Sequence, residues 1–185
     1  GQIKGAVRAA KAAMAQLGRR IPLWVTVAVE TMGNRLLDYE IQRLRLLRNH
    51  IHHTNGTGEG MYLGCNSDAC RVANSLIEGN YIHHTNRATV EQGDGIELKE
   101  GSYGNVIRDN VIHDTNYPGI ITYSTVGNGP ANLIEGNVIW RTNDNAIQIA
   151  ADATVRNNIV LGSVAFQSHE RGSPSNIRFV HNTVI

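Results

Sequence analysis

The sequence predicts an all-β chain wound as a parallel β-helix, with three-strand coils, about six rungs and an N-terminal amphipathic helix ahead of them. Three recurring features carry this expectation. A first phrase reads LLRNHIHHTN at 46–55, IEGNYIHHTN at 77–86, IRDNVIHDTN at 107–116 and IEGNVIWRTN at 134–143, then decays to VRNNIVLGS at 155–163 and FVHNTVI at 179–185. Its Asn returns at 49, 80, 110, 137, 158 and 182, at intervals of 31, 30, 27, 21 and 24 residues. Self-similarity at such a period is the mark of a solenoid. A second phrase, GEGMYLG (58–64), GDGIELK (93–99), YPGIITY (117–123) and DNAIQIA (144–150), alternates in its apolar letters, and period two in short runs means strands. A third short apolar run precedes the next Asn: Leu76–Ile77, Val106–Ile107, Leu133–Ile134.

The chain opens on residues 3–17, where Ile3, Val7, Ala10, Met14 and Leu17 share a helical face and Lys4, Arg8 and Lys11 lie elsewhere. Gly18 is a natural stop, and Pro22 precedes a strand-like run, Leu23–Val29. Residues 1–45 therefore form a helix–strand segment that either caps the open end of the core or is a foreign extension. Residues 34–48 suit a helix or the first coil's strand equally. Residues 46–185 form the β-helix itself. Within it each strand pairs with its equivalent one coil on, ~4.8 Å away. Ile51, Ile82, Ile112, Ile139 and Val160 then stack as one inward column, and Met61, Ile96, Ile120 and Ile147 as another. A buried Asn must have its amide satisfied, so the six recurring Asn read as a turn ladder. Thr54, Thr85, Thr115 and Thr142, and the Asn after each, read the same way.

Composition bounds the rest. A chain of 185 residues suits one domain. Its 41% hydrophobic and 5% aromatic content fits a narrow Ile/Val/Leu interior, and 19 Gly serve the turns. A net charge of +1 offers no bulk attraction for nucleic acid, and no apolar run reaches the ~18 residues of a membrane span. Cys65 and Cys70 lie in one loop, as a disulfide or two free thiols; without further ligands of matching spacing they are not a structural zinc site. The last strand stops inside a repeat at Val184–Ile185. An open coil exposes unpaired backbone, which suggests a fragment of a longer protein, or self-association through that end.

Residues 46–185 resemble the right-handed parallel β-helix proteins of the pectate-lyase-like superfamily. The resemblance implies the hand of the coil and a secreted, periplasmic or cell-surface carbohydrate-active protein, although the fold also hosts other chemistries. A separate stretch, AAKAAMAQLGRRIPLWVTVAVETMG at 9–33, looks like a helix–strand unit of the homocysteine-binding barrel of methionine synthases. It has none of that family's zinc-binding cysteines and implies no function here.

In the strand Gly95–Lys99, inward Ile96 and Leu98 leave Glu97 and Lys99 facing out on one side, about 7 Å apart. Neighbouring coils set Tyr62 and Ile121 beside Glu97, and Tyr123 beside Lys99. The segment GIELKEGSYGN (95–105) resembles the base-bearing strand of chondroitinase-B-like and alginate lyases. That resemblance implies β-elimination on an acidic polysaccharide, with Lys99 as base and Glu97 as a calcium ligand. Where that family carries an arginine, this chain has Ile120–Ile121–Thr122–Tyr123, so the resemblance implies either that the acid role falls to Tyr123 or that it is missing. Asp94 is the second candidate calcium ligand, and Tyr62, Glu97, His84 and Arg141 are candidate substrate contacts. A further pattern is histidine: His52, His83 and His113 in one column, His53, His84 and Asp114 in the next, followed by Arg141. The repeat itself explains the recurrence as turn residues, while stacked imidazoles also suit a transition metal. Three functions follow: an acidic-polysaccharide protein that binds or cleaves, a non-catalytic β-helix binding module, and a metal-binding β-helix.

Overall fold

The structure is a computed structural model and describes residues 39–124 and 129–185. The expected helix at 3–17, the run 23–29 and the methionine-synthase-like stretch lie outside the described residues. Of the ambiguous stretch 34–48, the described part is extended, with strands Tyr39–Gln42 and Arg45–Leu47. The coils therefore begin upstream of residue 46.

Among the described residues all strand pairing is parallel, in three long sheets that run from coil to coil and one separate two-stranded pair. The first stacks Arg45–Leu47, Leu76–Glu78, Val106–Arg108, Asn132–Glu135, Ala153–Arg156 and Ile177–Val180. The second stacks His50–His52, Tyr81–Thr85, Val111–Thr115, Val138–Thr142, Ile159–Leu161 and Thr183–Val184. The third stacks Met61–Leu63, Ile96–Leu98, Ile120–Thr122, Ile147–Ile149 and Val164–Phe166. Tyr39–Gln42 pairs separately with Cys70–Ala73, and a disulfide joins Cys65 to Cys70 at the loop before that strand. No helix among the described residues is long and apolar enough to cross a membrane.

The first and second sheets meet at a two-residue corner. The residue before each ladder Asn is left-handed, with φ of 54° at Arg48, 65° at Gly79, 54° at Asp109, 66° at Gly136, 56° at Asn157 and 56° at His181. Gly, Asn and Asp tolerate that conformation best, which explains the EGN, RDN and RNN spellings. The Asn that follows does what its burial demands. Asn80 Nδ2 donates to Asn110 Oδ1 at 2.9 Å and to the Leu46 carbonyl at 2.9 Å. Asn110 and Asn137 repeat the pattern one coil on. The four Thr hydroxyls close the next corner by donating to the carbonyls of Gly58, Gly93, Tyr117 and Asp144.

The expected columns form the core. Ile51 pairs with Ile82, then Ile112, Ile139 and Val160, and Ile82, Ile112, Ile139 and Val160 are fully buried. Met61, Ile96, Ile120 and Ile147 align likewise across the third sheet. Entry to that sheet is tight. A Cβ on Gly95 would fall against the Gly119 carbonyl oxygen and 2.7 Å from Ile112 Cγ2. Neither backbone nor a packed core methyl can yield easily, so Gly95→Ala is expected to cost about 1–3 kcal/mol. A urea midpoint shifted down at unchanged m-value is the expected reading; an unshifted midpoint would mean the corner relaxes freely.

Candidate functional site

The third sheet turns the column Tyr62–Glu97–Ile121–Gln148 outward. The alternation placed Glu97 and Lys99 on an exposed surface. The structure corrects this: Glu97 is 2% exposed and Lys99 6%. They do not stand apart either, since Lys99 Nζ donates to Glu97 Oε1 at 2.8 Å. The ammonium lies 3.8 Å from the centre of the Tyr123 ring and 5.2 Å from that of Tyr62, so two phenol rings supply cation–π contacts. Tyr62 is fixed by its hydroxyl, which donates to Asn66 Oδ1 at 2.7 Å, in the loop closed by the disulfide. The edge of His169 meets Tyr123 at 5.6 Å.

Asp94, at the corner before the strand, joins Glu97 and brings with it Glu59. One carboxylate oxygen from each of the three lies within 4.8 Å of the others. Asp94 Oδ1 and Glu97 Oε2 are buried without a hydrogen-bond partner. Burial, then the charges of Glu97 and Glu59, pushes the Asp94 carboxyl up to about 8. Burial raises Glu97 too, against the opposing pull of its Lys99 bond. The phenols move in the same direction: Tyr62 is pushed up to about 12 and Tyr123 is raised, each by burial first and by the Glu97 charge next. A buried carboxylate group with orphaned oxygens and a single ammonium lacks positive charge, which marks it as functional ground. Its donor set is all oxygen, as calcium requires, so Glu59, Asp94 and Glu97 fit that ion.

The structure does not bring His84 and Arg141 to this place. Both belong to the second sheet, in Tyr81–Thr85 and Val138–Thr142. There Arg141 donates to both oxygens of Asp114, at 2.7 Å from Nε and 2.6 Å from Nη2. The histidine columns form as expected. His83 stacks on His52 at 5.2 Å and on His113 at 5.0 Å, and His113 stacks on Trp140 at 4.3 Å. Hydrogen bonds run beside the stack: His50 Nε2 to His83 Nε2 at 2.8 Å, His83 Nδ1 to His84 Nδ1 at 2.5 Å, and His113 Nδ1 to Asp114 Oδ2 at 2.5 Å.

His83 carries a pH dependence. Burial, reinforced by the neighbouring imidazoles, lowers it from 6.5 to about 4. The native state then binds fewer protons than the unfolded state between those values, so stability is present above about 6.5 and is lost as pH falls through about 4. Asp94, raised to about 8, gains stability over the same fall in pH, so the comparison with a variant isolates His83: in chelator, the denaturant midpoint of wild type should drop relative to that of His83→Gln between pH 7.5 and 4.5, and parallel curves would remove His83 as the cause.

Sequence reasoning missed Glu59, which precedes its strand by two residues, and Glu100, buried with Oε2 unpartnered. It also missed a second ladder, in which the Ser75 amide donates to Asn105 Oδ1 and Asn105 Nδ2 to Asn132 Oδ1. Its signal was present in the sequence, as one polar residue before each third-run strand.

Three stacked parallel sheets and an internal Asn ladder define a parallel β-solenoid, with the carboxylate–lysine cluster as a candidate site on one face. Residues 42–184 match the family described as right handed beta helix region, and the chain belongs to that family. No curated protein and no solved structure matches it. Membership fits a carbohydrate-active or a structural β-helix protein, and the site rather than the fold must separate these.

Proposed function

We propose that the outer face of the third sheet binds an acidic polysaccharide and cleaves it by β-elimination. The observation that carries this is the cluster of buried Lys99, Glu97 and Asp94 with half-buried Glu59, beside Tyr62 and Tyr123, with two carboxylate oxygens left unpartnered. Glu59, Asp94 and Glu97 would hold a calcium ion, which would supply positive charge against the uronate carboxylate. Lys99 Nζ takes the proton α to that carboxylate, a carbon–carbon double bond forms, the bond to the leaving oxygen breaks, and the Tyr123 hydroxyl protonates that oxygen. The raised Tyr123 stays protonated for this role. Nζ donates to Glu97 in the structure, so the base form of Lys99 requires Glu97 to be engaged elsewhere. The likeness of residues 95–105 to chondroitinase-B-like and alginate lyases supports the assignment, and the Cys65–Cys70 disulfide supports a secreted or cell-surface location.

The same Lys99–Glu97 bond favours a second reading, a binding module without turnover. An ultraviolet assay for unsaturated uronyl ends on alginate, pectate and chondroitin or dermatan sulfate, with calcium and with chelator, separates the two. Product that needs calcium is the expected result. Saturable polysaccharide binding without product would leave the module reading, and neither binding nor product from folded protein would sink both.

A further inference from the structure

The second sheet carries a cluster that the polysaccharide reading does not use. His53, His83 and His84 each offer one ring nitrogen, and the three lie within 4.8 Å of one another. They come from two adjacent coils, and the left-handed backbone at His53 and His84, φ 55° at both, brings those two side chains to the corner beside His83. We propose that these three histidines bind a divalent late first-row transition ion of the zinc class.

The His83 Nδ1 and His84 Nδ1 atoms are 2.5 Å apart. Two imidazole nitrogens that close need a proton shared between them, and a bound cation would take that proton's place. Tetrahedral nitrogen ligands of zinc, each ~2.1 Å from the ion, lie roughly 3.4 Å from one another, so one pair must open slightly and the third ring must draw in. His83 is held in the stack between His52 and His113, which makes it the fixed ligand. The face-to-face rings of His53 and His84, 4.7 Å apart, are the ones that turn: His53 is exposed, and the His84 side chain is 44% exposed. An all-imidazole set selects zinc, copper or nickel over calcium or magnesium. Three protein ligands at the surface leave a position for water or a ligand atom.

A second cluster, His84, His113 and Asp114, is the weaker choice. Both Asp114 oxygens are already held by the Arg141 guanidinium, whose charge repels a cation. The ion therefore belongs on the His53 side of His84.

The test is calorimetric titration of the tag-free protein with zinc chloride, followed by cobalt substitution. Asn tolerates a left-handed φ, so His53→Asn and His84→Asn keep the corner, and circular dichroism checks their fold. Outer-shell changes alone cost roughly 10–100-fold in metal affinity. Each variant should therefore weaken zinc by about 100-fold, while Glu170→Gln at an exposed position leaves it unchanged. Cobalt should give the visible bands of a four-coordinate nitrogen site. The proposal is overturned by absence of saturable zinc binding, by folded histidine variants that bind as wild type does, or by an equal loss of binding in folded Glu170→Gln.

Discussion

Lys99→Ala is expected to lower uronate elimination by roughly 10²–10⁴-fold, the range that a positioned acid or base contributes. The substitution does more than remove a base. Glu97 is buried with Lys99 as the donor to its Oε1, and breaking a buried pair by deleting one partner costs roughly 3–5 kcal/mol. Loss of rate in Lys99→Ala alone is therefore ambiguous between chemistry and folding. Lys99→Arg resolves it. The guanidinium keeps a positive charge beside Glu97 and under the Tyr123 ring, yet it cannot give up its proton at working pH. A folded Lys99→Arg that still binds polysaccharide but has lost turnover places the base at Nζ. Tyr123→Phe keeps the ring over the cation and removes only the proton donor, so it should lose rate with little loss of binding. Full activity in Lys99→Arg would end the assignment of Lys99 as base.

Asn110→Ala should be among the most damaging single changes in the chain. Asn110 is fully buried, and its amide is saturated. Nδ2 donates to the Ile77 carbonyl at 3.0 Å and to Asn137 Oδ1 at 2.9 Å, and Oδ1 accepts from the Asn80 amide and from Asn80 Nδ2, both at 2.9 Å. Alanine leaves three of those groups in a dry interior, each unmet group costing ~1–3 kcal/mol. Allowing for relaxation, the expected loss is about 3–5 kcal/mol, a large share of the ~5–15 kcal/mol that holds a domain together. Asn110→Asp is the sharper probe. It keeps the acceptor for Asn80 and turns an oxygen toward the Ile77 and Asn137 oxygens. Chemical denaturation should place Asp at least as low as Ala, and both far below Asn49→Ala in the first coil. A loss under about 1 kcal/mol for Asn110→Ala would mean that the ladder is ornament to a fold held by its apolar columns.

The sequence made the fold legible because a solenoid repeats its decisions. Each coil restates which Asn caps the corner and which Ile points in, so an error in one rung is corrected by the next. The ladder from Asn49 to Asn182, the columns through Ile82 and Ile96 and the histidine stack through His83 could all be counted off. The site was less legible because it does not repeat. Period two shows that Glu97 faces away from Ile96, but it is silent on what lies over Glu97. The pairing with Lys99 and the burial of both depend on two tyrosines from neighbouring coils. Glu59 was hidden for a related reason: it belongs to a corner, where alternation has no meaning. His84 and Arg141 were misplaced because their chemistry suggested an acidic substrate, whereas their strand put them a sheet away beside Asp114.

The ladder has one further consequence. The ladder bonds that run between coils join a coil only to the next, at separations of 21 to 34 residues, and none joins distant coils. Cooperativity in such a stack decays with rung number, so the molecule should open like a zipper from its outer coils inward. Among the described coils, amide hydrogen exchange should follow a gradient, slowest at Asn110 and Asn137 and fastest toward Asn49 and Asn182. The Ile96–Leu98 strand has a paired coil on each side, so the candidate site does not sit on a fraying edge of its sheet.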